Sequence, residues 1–334
     1  MILVTGATGF LGSYLTKLLL QKGGKVRTLK RPTSDLSLLG EFAQQIEWIE
    51  GNVLDISSLQ LAMKDVEKVY HCAAIISFIP SETDYMMQVN IEGTANVMDV
   101  ARDTGVKKVV HVSSIAAFGV APAGKIMDEN FSDPNISKCF AYYRSKQYGE
   151  REAWRAEAEG MNVVIACPAT ILGAGWWEEE PNSLFKTVYE GLKFYVASNM
   201  GFVDVRDVAE CLYRLMEGNF SGEKFILSAE NLSFREIIGQ MADEMKVKRP
   251  SLEAGRFLLS LAWRAEVLKS FFTGSRPVVT RDSAGIAFES FSYSNEKIKA
   301  ALNYEFLPVR ETIAETARVF LKSIKEGKDY GTFT

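Results

Sequence analysis

The sequence predicts an α/β protein built on a doubly wound parallel sheet. Short, β-branched apolar runs alternate with helical patterns through the first half of the chain, as βαβ units require. These runs are almost continuously apolar, which is typical of strands that helices cover on both faces. Right-handed crossovers then give the doubly wound order. The expected strands are residues 2–5, 26–29, 46–50, 69–72, 108–112, 163–167 and 224–228.

The alternation of strands and helices ends after residue 168, where the segment GAGWWEEEPN follows. Helical patterns dominate beyond it, so we expect a second, smaller, mostly helical lobe that binds the substrate. The larger domain would comprise residues 1–169 and 203–229, and the second lobe residues 170–202 and 230–330. The apolar segment 257–272 is interrupted by charged residues and predicts an amphipathic helix that is too short to span a bilayer.

Composition excludes several classes of protein. The chain has 334 residues, of which 47% are hydrophobic and 24% charged, as in a folded globular protein. Its net charge of −4, with no basic cluster, argues against a nucleic-acid partner. The four cysteines lack metal-ligand spacing, so we expect buried thiols and no metal. Because the first residues already resemble a strand, we expect no signal peptide, a cytoplasmic location and no membrane contact.

A glycine-rich turn follows the first expected strand. The sequence TGATGFLG places Gly6, Gly9 and Gly12 at three-residue steps where that strand leads into a helix. Such glycines permit a tight turn, let a pyrophosphate approach the backbone and let helix and strand pack closely, while the helix N-terminus attracts the anion. The turn therefore predicts a dinucleotide-binding domain of the Rossmann type. A merely flexible turn is the alternative.

Two basic residues stand at the end of the second expected strand. An NAD-selective site carries an acidic residue about 20 residues beyond the glycines, where it holds the ribose 2′-hydroxyl. Here Lys30 and Arg31 occupy that place, and a guanidinium can bind a 2′-phosphate through two hydrogen bonds. We therefore expect NADP(H) to be preferred, with NAD(H) as a second possibility. The alternative is that both charges only solvate a loop.

A third pattern indicates proton transfer. Tyr142 and Lys146 are four residues apart, so on a helix both side chains emerge on one face. A nearby ammonium favours the phenolate and brings a tyrosine toward a useful pKa. Ser113 and Ser114 end the fifth expected strand, at the sheet edge where ligands bind in such folds. Ser114 could hydrogen-bond a carbonyl oxygen as negative charge develops there, although two serines could also merely satisfy loop backbone.

Taken together, these motifs resemble the extended short-chain dehydrogenase/reductase superfamily, also called the NAD-dependent epimerase/dehydratase family. They occur in the family's order and cover about two-thirds of the chain. The matching segments are TGATGFLG, HCAA at 71–74, VNIEGTANV at 89–97, HVSSIAAFG at 111–119, Tyr142 with Lys146, CPATILG at 167–173 and VDVRDVA at 203–209.

The resemblance implies a role for each matching residue. Tyr142 would be the general acid/base, and Lys146 would lower its pKa and hold the nicotinamide ribose. Ser114 would bind the carbonyl, and Asn90 would support the proton relay. Asn52 stands where the family's adenine-side motif usually has an aspartate. The residues expected at the cofactor are Gly6, Thr8, Gly9, Phe10, Leu11, Gly12, Lys30, Arg31, Asn52, Val53, Ala73, Ala74, Lys146, Pro168 and Ala169.

Within the superfamily the chain is most similar to dihydroflavonol reductase-like, cinnamoyl-CoA reductase-like and 3β-hydroxysteroid dehydrogenase-like proteins, whose second strand ends in basic residues as Arg27 and Arg31 do here. Ile115 and Ala116 replace the acidic pair of the dehydratases, and the arginine that epimerases place before VDVRDVA is missing from residues 195–205. Apolar residues would line the pocket, although a core position is the alternative for each. They are Ile76, Phe78, Phe118, Trp176, Trp177 and Tyr195.

These patterns lead to one main hypothesis and two alternatives. The main hypothesis is NADP(H)-dependent reduction of a ketone or aldehyde on a largely apolar small molecule, with Tyr142 delivering the proton. The first alternative is a sugar-nucleotide epimerase that recycles a tightly bound NAD. The second is a sensor or scaffold that binds a dinucleotide without chemistry. The resemblance also implies a homodimer built on paired helices.

Overall fold

Helices and strands alternate along the chain. The computed structural model describes residues 1–122, 124–273 and 280–333. The strands are β1 Ile2–Thr5, β2 Val26–Lys30, β3 Glu47–Glu50, β4 Lys68–His71, β5 Lys108–Val112, β6 Ile126–Met127, β7 Val163–Pro168, β8 Thr170–Leu172, β9 Phe194–Tyr195, β10 Asn199–Asp204, β11 Glu223–Leu227, β12 Glu230–Ser233, β13 Leu252–Glu253 and β14 Ser292–Tyr293. The helices are α1 Phe10–Gln21, α2 Ile56–Met63, α3 Thr83–Asp103, α4 Ala141–Ala158, α5 Ser183–Tyr189, α6 Val205–Glu217, α7 Phe234–Glu244, α8 Arg256–Thr273, α9 Arg281–Ile286, α10 Glu296–Leu302 and α11 Val309–Glu326.

The main sheet has seven parallel strands in the order β3-β2-β1-β4-β5-β7-β11. This confirms the predicted doubly wound fold, and every strand expected from the sequence forms within about a residue of its expected position. The order reverses between β1 and β4, and ligands bind in such folds at the carboxyl ends of the strands beside that reversal. All five residues of β5 are buried, as expected for a strand that helices cover on both faces.

Local capping explains where two helices of the later part of the chain begin. The Asp204 carboxylate accepts a hydrogen bond from the Arg206 backbone N–H at 2.7 Å and so caps α6. Ser233 and Glu236 form a capping box at the start of α7, in which each side chain accepts from the other residue's backbone N–H. Both helices therefore begin directly after strands, as the βα connections of this fold require.

The later part of the chain builds a second hydrophobic core. The small sheet β12-β10-β8 pairs β10 antiparallel with β12 and parallel with β8. Helices α5, α7 and α11 contribute apolar side chains to the core beside this sheet. Its large members include Trp177, Phe185, Phe202 and Phe320. The residues that follow β7 therefore pack around a separate hydrophobic core, next to the carboxyl edge of the main sheet.

Helix α8 forms where the amphipathic segment was expected. Two of its apolar side chains, Phe257 and Leu261, are exposed. Within the described ranges, none of the helices combines the length and the apolar character that a bilayer crossing demands.

Two histidines are buried side by side beneath the carboxyl edge of the sheet. The rings of His71 and His111 lie 5.2 Å apart between centroids. His71 is hydrogen-bonded to Thr5 Oγ1 at 2.7 Å and to Thr94 Oγ1 at 2.9 Å. Neither ring nitrogen of His111 has a hydrogen-bond partner within the described part of the chain. Burial lowers the pKa of His71 to about 3 and also holds that of His111 well below its usual value.

These histidines should make the fold sensitive to acid. In the unfolded chain both groups bind protons below about pH 6.5, whereas in the folded chain they stay neutral, so the free energy of unfolding falls as the pH drops below that value. Each histidine contributes a slope of up to about 1.4 kcal/mol per pH unit. We predict that His111→Leu weakens this dependence, because it removes one of the two groups.

Urea denaturation at pH 7 and pH 5 measures the effect. The variant should lose less stability than the wild type between the two pH values. An equal loss in both proteins would show that His111 does not carry the acid sensitivity.

Candidate functional site

The turn between β1 and α1 forms a cradle that only glycine can line. Gly6 adopts a φ of +75°, and a Cβ built on it would lie 2.7 Å from the backbone nitrogen of Ala73. A Cβ on Gly12 would lie 2.1 Å from the Gly6 carbonyl oxygen. Gly9 precedes α1 without a side-chain cap, so the first N–H groups of the helix remain available to a ligand. Thr8, Phe10 and Leu11 belong to the same turn, and this geometry fits the pyrophosphate of a dinucleotide.

The loops after β3 and β4 border this turn. The backbone N–H of Ala73 donates to Thr5 Oγ1 at 3.3 Å, which holds the residues after β4 against β1, and Ala74 follows at the surface. Asn52 is exposed and its Oδ1 accepts from the Leu54 N–H at 2.8 Å, so it shapes its own turn. The Val53 side chain is buried, so only its backbone is left to meet a cofactor.

The cations at the end of β2 differ in whether other residues already pair with them. Arg27 forms an ion pair with Glu47 at 2.9 Å, and its guanidinium also donates to two backbone carbonyls, so it is used structurally. The Lys30 ammonium lies 5.6 Å from the centroid of the Trp48 ring. Arg31 is exposed, and its side chain makes no ion pair among the described residues. Arg31 and Lys30, but not Arg27, are therefore free to meet an anionic group beside the cradle.

The structure brings Ser114 and Tyr142 together at the carboxyl edge of the sheet. Ser114 follows β5 and begins a short 3₁₀ turn, where its Oγ accepts from the Ala116 N–H at 3.1 Å. Its hydroxyl also lies close to the Tyr142 side chain in the first turn of α4. Burial raises the pKa of Tyr142 above its usual value, and the nearby Ser114 hydroxyl partly opposes that rise.

Lys146 lies one helical turn beyond Tyr142 and points into the same edge of the sheet. Its Nζ donates to the Val112 carbonyl at 3.0 Å. Burial lowers the pKa of Lys146 to about 8, while the neighbouring Cys167, Glu150 and Cys72 side chains act in the opposite direction. The sequence led us to expect a Tyr142 pKa lowered by this ammonium. The structure differs because enclosure of the phenol dominates.

Both polar atoms of the Asn90 side chain form hydrogen bonds that hold neighbouring segments in place. Its Oδ1 accepts from the Ile75 N–H at 2.8 Å, and its Nδ2 donates to the Ile75 carbonyl and to Ser145 Oγ, both at 2.9 Å. Its backbone carbonyl accepts from Thr94 Oγ1 at 2.8 Å, and the same hydroxyl is hydrogen-bonded to His71. Asn90 therefore ties the loop after β4 to the helix that carries Tyr142.

Glu150 also belongs to this region, although no motif of the sequence pointed to it. The residue is 5% exposed, and its carboxylate accepts from Ser113 Oγ at 2.7 Å, from Lys224 Nζ at 3.1 Å and from Trp154 Nε1 at 3.2 Å. It lies one turn beyond Lys146 on the same helix face, and this spacing was the available signal. The buried carboxylate links α4 to β11 and to the residue directly before Ser114.

The expected pocket walls are only partly brought to the site. Phe78 contacts Tyr142, with ring centroids 5.6 Å apart, and Ile76 is 63% exposed on the loop before it. Tyr195 is half-buried in the second lobe, where Arg235 lies over its ring. Strand β7 ends at Pro168, and the N–H of Ala169, the next residue, donates to the Leu227 carbonyl at 2.9 Å.

Three aromatic residues lie elsewhere than expected. Trp177 is 3% exposed and packs against Phe320 at 5.1 Å in the second core, because its large apolar ring completes that core. Phe118 is 1% exposed and is covered by the Lys224 ammonium at 4.3 Å. Trp176 forms an isolated β-bridge with Tyr330, and its side chain lies near Asp35 in the loop after β2, so it borders the basic end of that strand rather than Tyr142.

Comparison with known proteins adds three findings. The model of the NAD dependent epimerase/dehydratase family matches residues 2–227. A Synechocystis protein named as a dihydroflavonol 4-reductase candidate is 28% identical over 326 residues, which cover 95% of this chain and 93% of that protein. Cinnamoyl-CoA reductase 1 of Petunia hybrida is 27% identical over 342 residues, with 97% and 92% covered.

A solved structure extends the similarity to the whole fold. The crystal structure of gox2253 superposes with a TM-score of 0.83 at 29% identity, and the match covers 98% of this chain and 99% of that one. The similarity therefore includes the second lobe as well as the dinucleotide-binding sheet.

Proposed function

Since the chain belongs to the NAD dependent epimerase/dehydratase family, we propose that it reduces a ketone or aldehyde of a largely apolar small molecule with NADPH. The chain is an NAD(P)-dependent oxidoreductase enzyme, as its family and reductase relatives are. The observation that carries the proposal is the close approach of the Ser114 and Tyr142 side chains, with Lys146 one turn away at the carboxyl edge of the sheet.

The protonation states of this group favour reduction. With its pKa raised by burial, Tyr142 is a neutral phenol at neutral pH and holds the proton that a forming alkoxide needs. Ser114 donates a second hydrogen bond to the carbonyl oxygen and stabilises the charge that develops there. When bound, NADPH would supply the hydride. Lys146 would hold the nicotinamide ribose and keep a positive charge beside the phenol.

The surroundings favour a carbonyl substrate over dehydration. Ile115 and Ala116, which follow Ser114, are buried and apolar, so they offer no additional acid or base for eliminating water. The Phe78 ring against Tyr142 and the exposed Ile76 give the site an apolar wall. Relatives named for dihydroflavonol and cinnamoyl-CoA reduction support a reductase with an aromatic or alicyclic substrate. A homodimer built on paired helices stays a prediction from the family resemblance.

Turnover should depend on the phenol of Tyr142. We predict that Tyr142→Phe lowers kcat by about 10²–10⁴-fold, because general acid catalysis contributes a factor of that order. Cofactor affinity should stay nearly unchanged.

A screen of carbonyl compounds for NADPH oxidation measures the effect. Tyr143→Phe is the matched control, because Tyr143 is buried next to Tyr142 and has no proposed role. Full activity of Tyr142→Phe would refute the assignment. Product formation without stoichiometric NADPH consumption would instead support the epimerase alternative.

Arg31 should carry the preference for NADPH. We predict that Arg31→Ala lowers kcat/KM with NADPH by about tenfold or more, since a charge-assisted contact to a phosphate contributes about 1.5–3 kcal/mol. Its kcat/KM with NADH should change little, because NADH lacks the 2′-phosphate. Equal losses with the two cofactors would contradict a 2′-phosphate contact.

Glu150 should set the pH range of the reaction through Lys146. The ammonium loses its proton near pH 8, so kcat/KM for reduction should fall above that pH. Because the Glu150 carboxylate raises the pKa of Lys146, we predict that Glu150→Gln moves this decline to lower pH. Lys224→Gln should move it to higher pH, because the carboxylate then loses its compensating cation.

The pH dependence of kcat/KM distinguishes this role from a purely structural one. Glu152→Gln is the control, since Glu152 lies on the same helix but pairs with Arg155 near the surface. If Glu150→Gln and Lys224→Gln lower the rate but leave the pH at which kcat/KM declines unchanged, Glu150 contributes only to packing.

A further inference from the structure

A second concave site opens beside the proposed active site. A surface cavity of about 510 Å³ lies between the N-terminal ends of α3 and α4 and the short helix α9. Ala141, which directly precedes Tyr142, lines it, as does Pro80, two residues beyond the Phe78 ring that contacts Tyr142. The cavity therefore adjoins the site where the carbonyl would react, and none of the glycines of the cradle is among its described lining residues.

Three cations line this cavity. Lys138 comes from the loop before α4, Arg144 from the first turn of α4 and Arg281 from α9. None of them forms an ion pair with a side chain in the parts of the chain that the structure describes. Asp282 is the one acidic residue among the described lining residues, so the cavity carries a positive excess.

The backbone adds to this positive field. Thr83 and Ala141 begin α3 and α4, two helices of 21 and 18 residues, and both line the cavity. The N-terminus of a long helix carries about half a positive charge and presents N–H groups without intrahelical acceptors. Glu82 and Asp84 flank Thr83 and oppose part of this field, but neither lines the cavity.

Arg144 gives the second indication of a ligand. Its Nε atom is buried and has no hydrogen-bond partner among the described residues. A buried guanidinium nitrogen without an acceptor costs free energy, so such atoms are normally satisfied by protein, water or a ligand. An anionic group in the cavity would supply that acceptor together with a charge to match the excess.

We propose that this cavity binds an anionic group, a carboxylate or a phosphate, at the far end of the substrate that Tyr142 protonates. The inference rests on the proposed function and adds to it that the apolar carbonyl compound carries a negatively charged arm. Arg144 and Arg281 are then specificity-determining residues, because they select the arm without touching the reacting carbonyl.

Matched aldehydes test the proposal. Aromatic aldehydes with a neutral, a carboxylate or a phosphate group in the para position share one reacting carbonyl and differ only in the arm. The wild type should show a lower KM for the anionic compounds, and the comparison of carboxylate with phosphate identifies the preferred arm. Arg144→Leu and Arg281→Leu should raise that KM by about tenfold or more with kcat retained, and should leave the neutral aldehyde unaffected. Arg151→Leu, two turns further along α4 and outside the cavity, is the control.

A binding measurement separates failure of this inference from failure of the proposed function. Inorganic pyrophosphate is titrated calorimetrically into protein saturated with NADP⁺, which keeps the probe out of the cofactor cradle. Binding by the wild type that is lost in Arg144→Leu and Arg281→Leu supports the cavity as an anion site even where no aldehyde is reduced. Equal binding in all variants, or equal KM changes for neutral and anionic aldehydes, would overturn the proposal.

Discussion

The arrangement of the proposed active site depends on one close backbone contact between α3 and α4. A Cβ on Gly149 of α4 would lie 2.3 Å from the Asn90 carbonyl oxygen of α3, so only glycine lets the two helices approach this far. At the same level Asn90 bonds to the Ile75 backbone and to Ser145, which fixes the loop after β4 to α4. The direction in which Tyr142 and Lys146 project from α4 follows from this contact. A wider spacing of the helices would move both side chains away from Ser114.

Much of the fold was predictable because its determinants are local. The strands of the main sheet are short apolar runs bounded by glycine turns or polar loops, and such runs form parallel strands wherever helices cover both faces. The cradle at Gly6 and Gly12 was also predictable, since strand, glycines and helix occur in the required order. Tyr142 and Ser114 meet because the carboxyl ends of parallel strands share one edge of the sheet.

The parts that sequence analysis missed depend on distant partners. Trp177 is a residue type that often lines apolar pockets, but here it belongs to the core. Its ring packs against Phe185 and Phe320, which come from later helices of the chain. Arg27 resembles a cofactor-binding cation until its pairing with Glu47 on β3 is visible. Glu150 resembles a solvated helix residue, although Lys224 is 74 positions away and reaches it only through the order of the sheet. In each case tertiary packing decides between two roles that residue type and spacing allow equally.

The ion pair between Glu150 and Lys224 also means that the main sheet is not complete in any fragment that ends before β11. Strand β11 contributes the seventh position of the sheet only after the chain has passed through β8, β9 and β10 of the other lobe. A fragment that stops at residue 169 would expose the outer edge of β7 and leave a buried carboxylate without its cation, a state that costs several kcal/mol. The late strand β11 thus couples completion of the main sheet to synthesis of the segment that contains β8, β9 and β10.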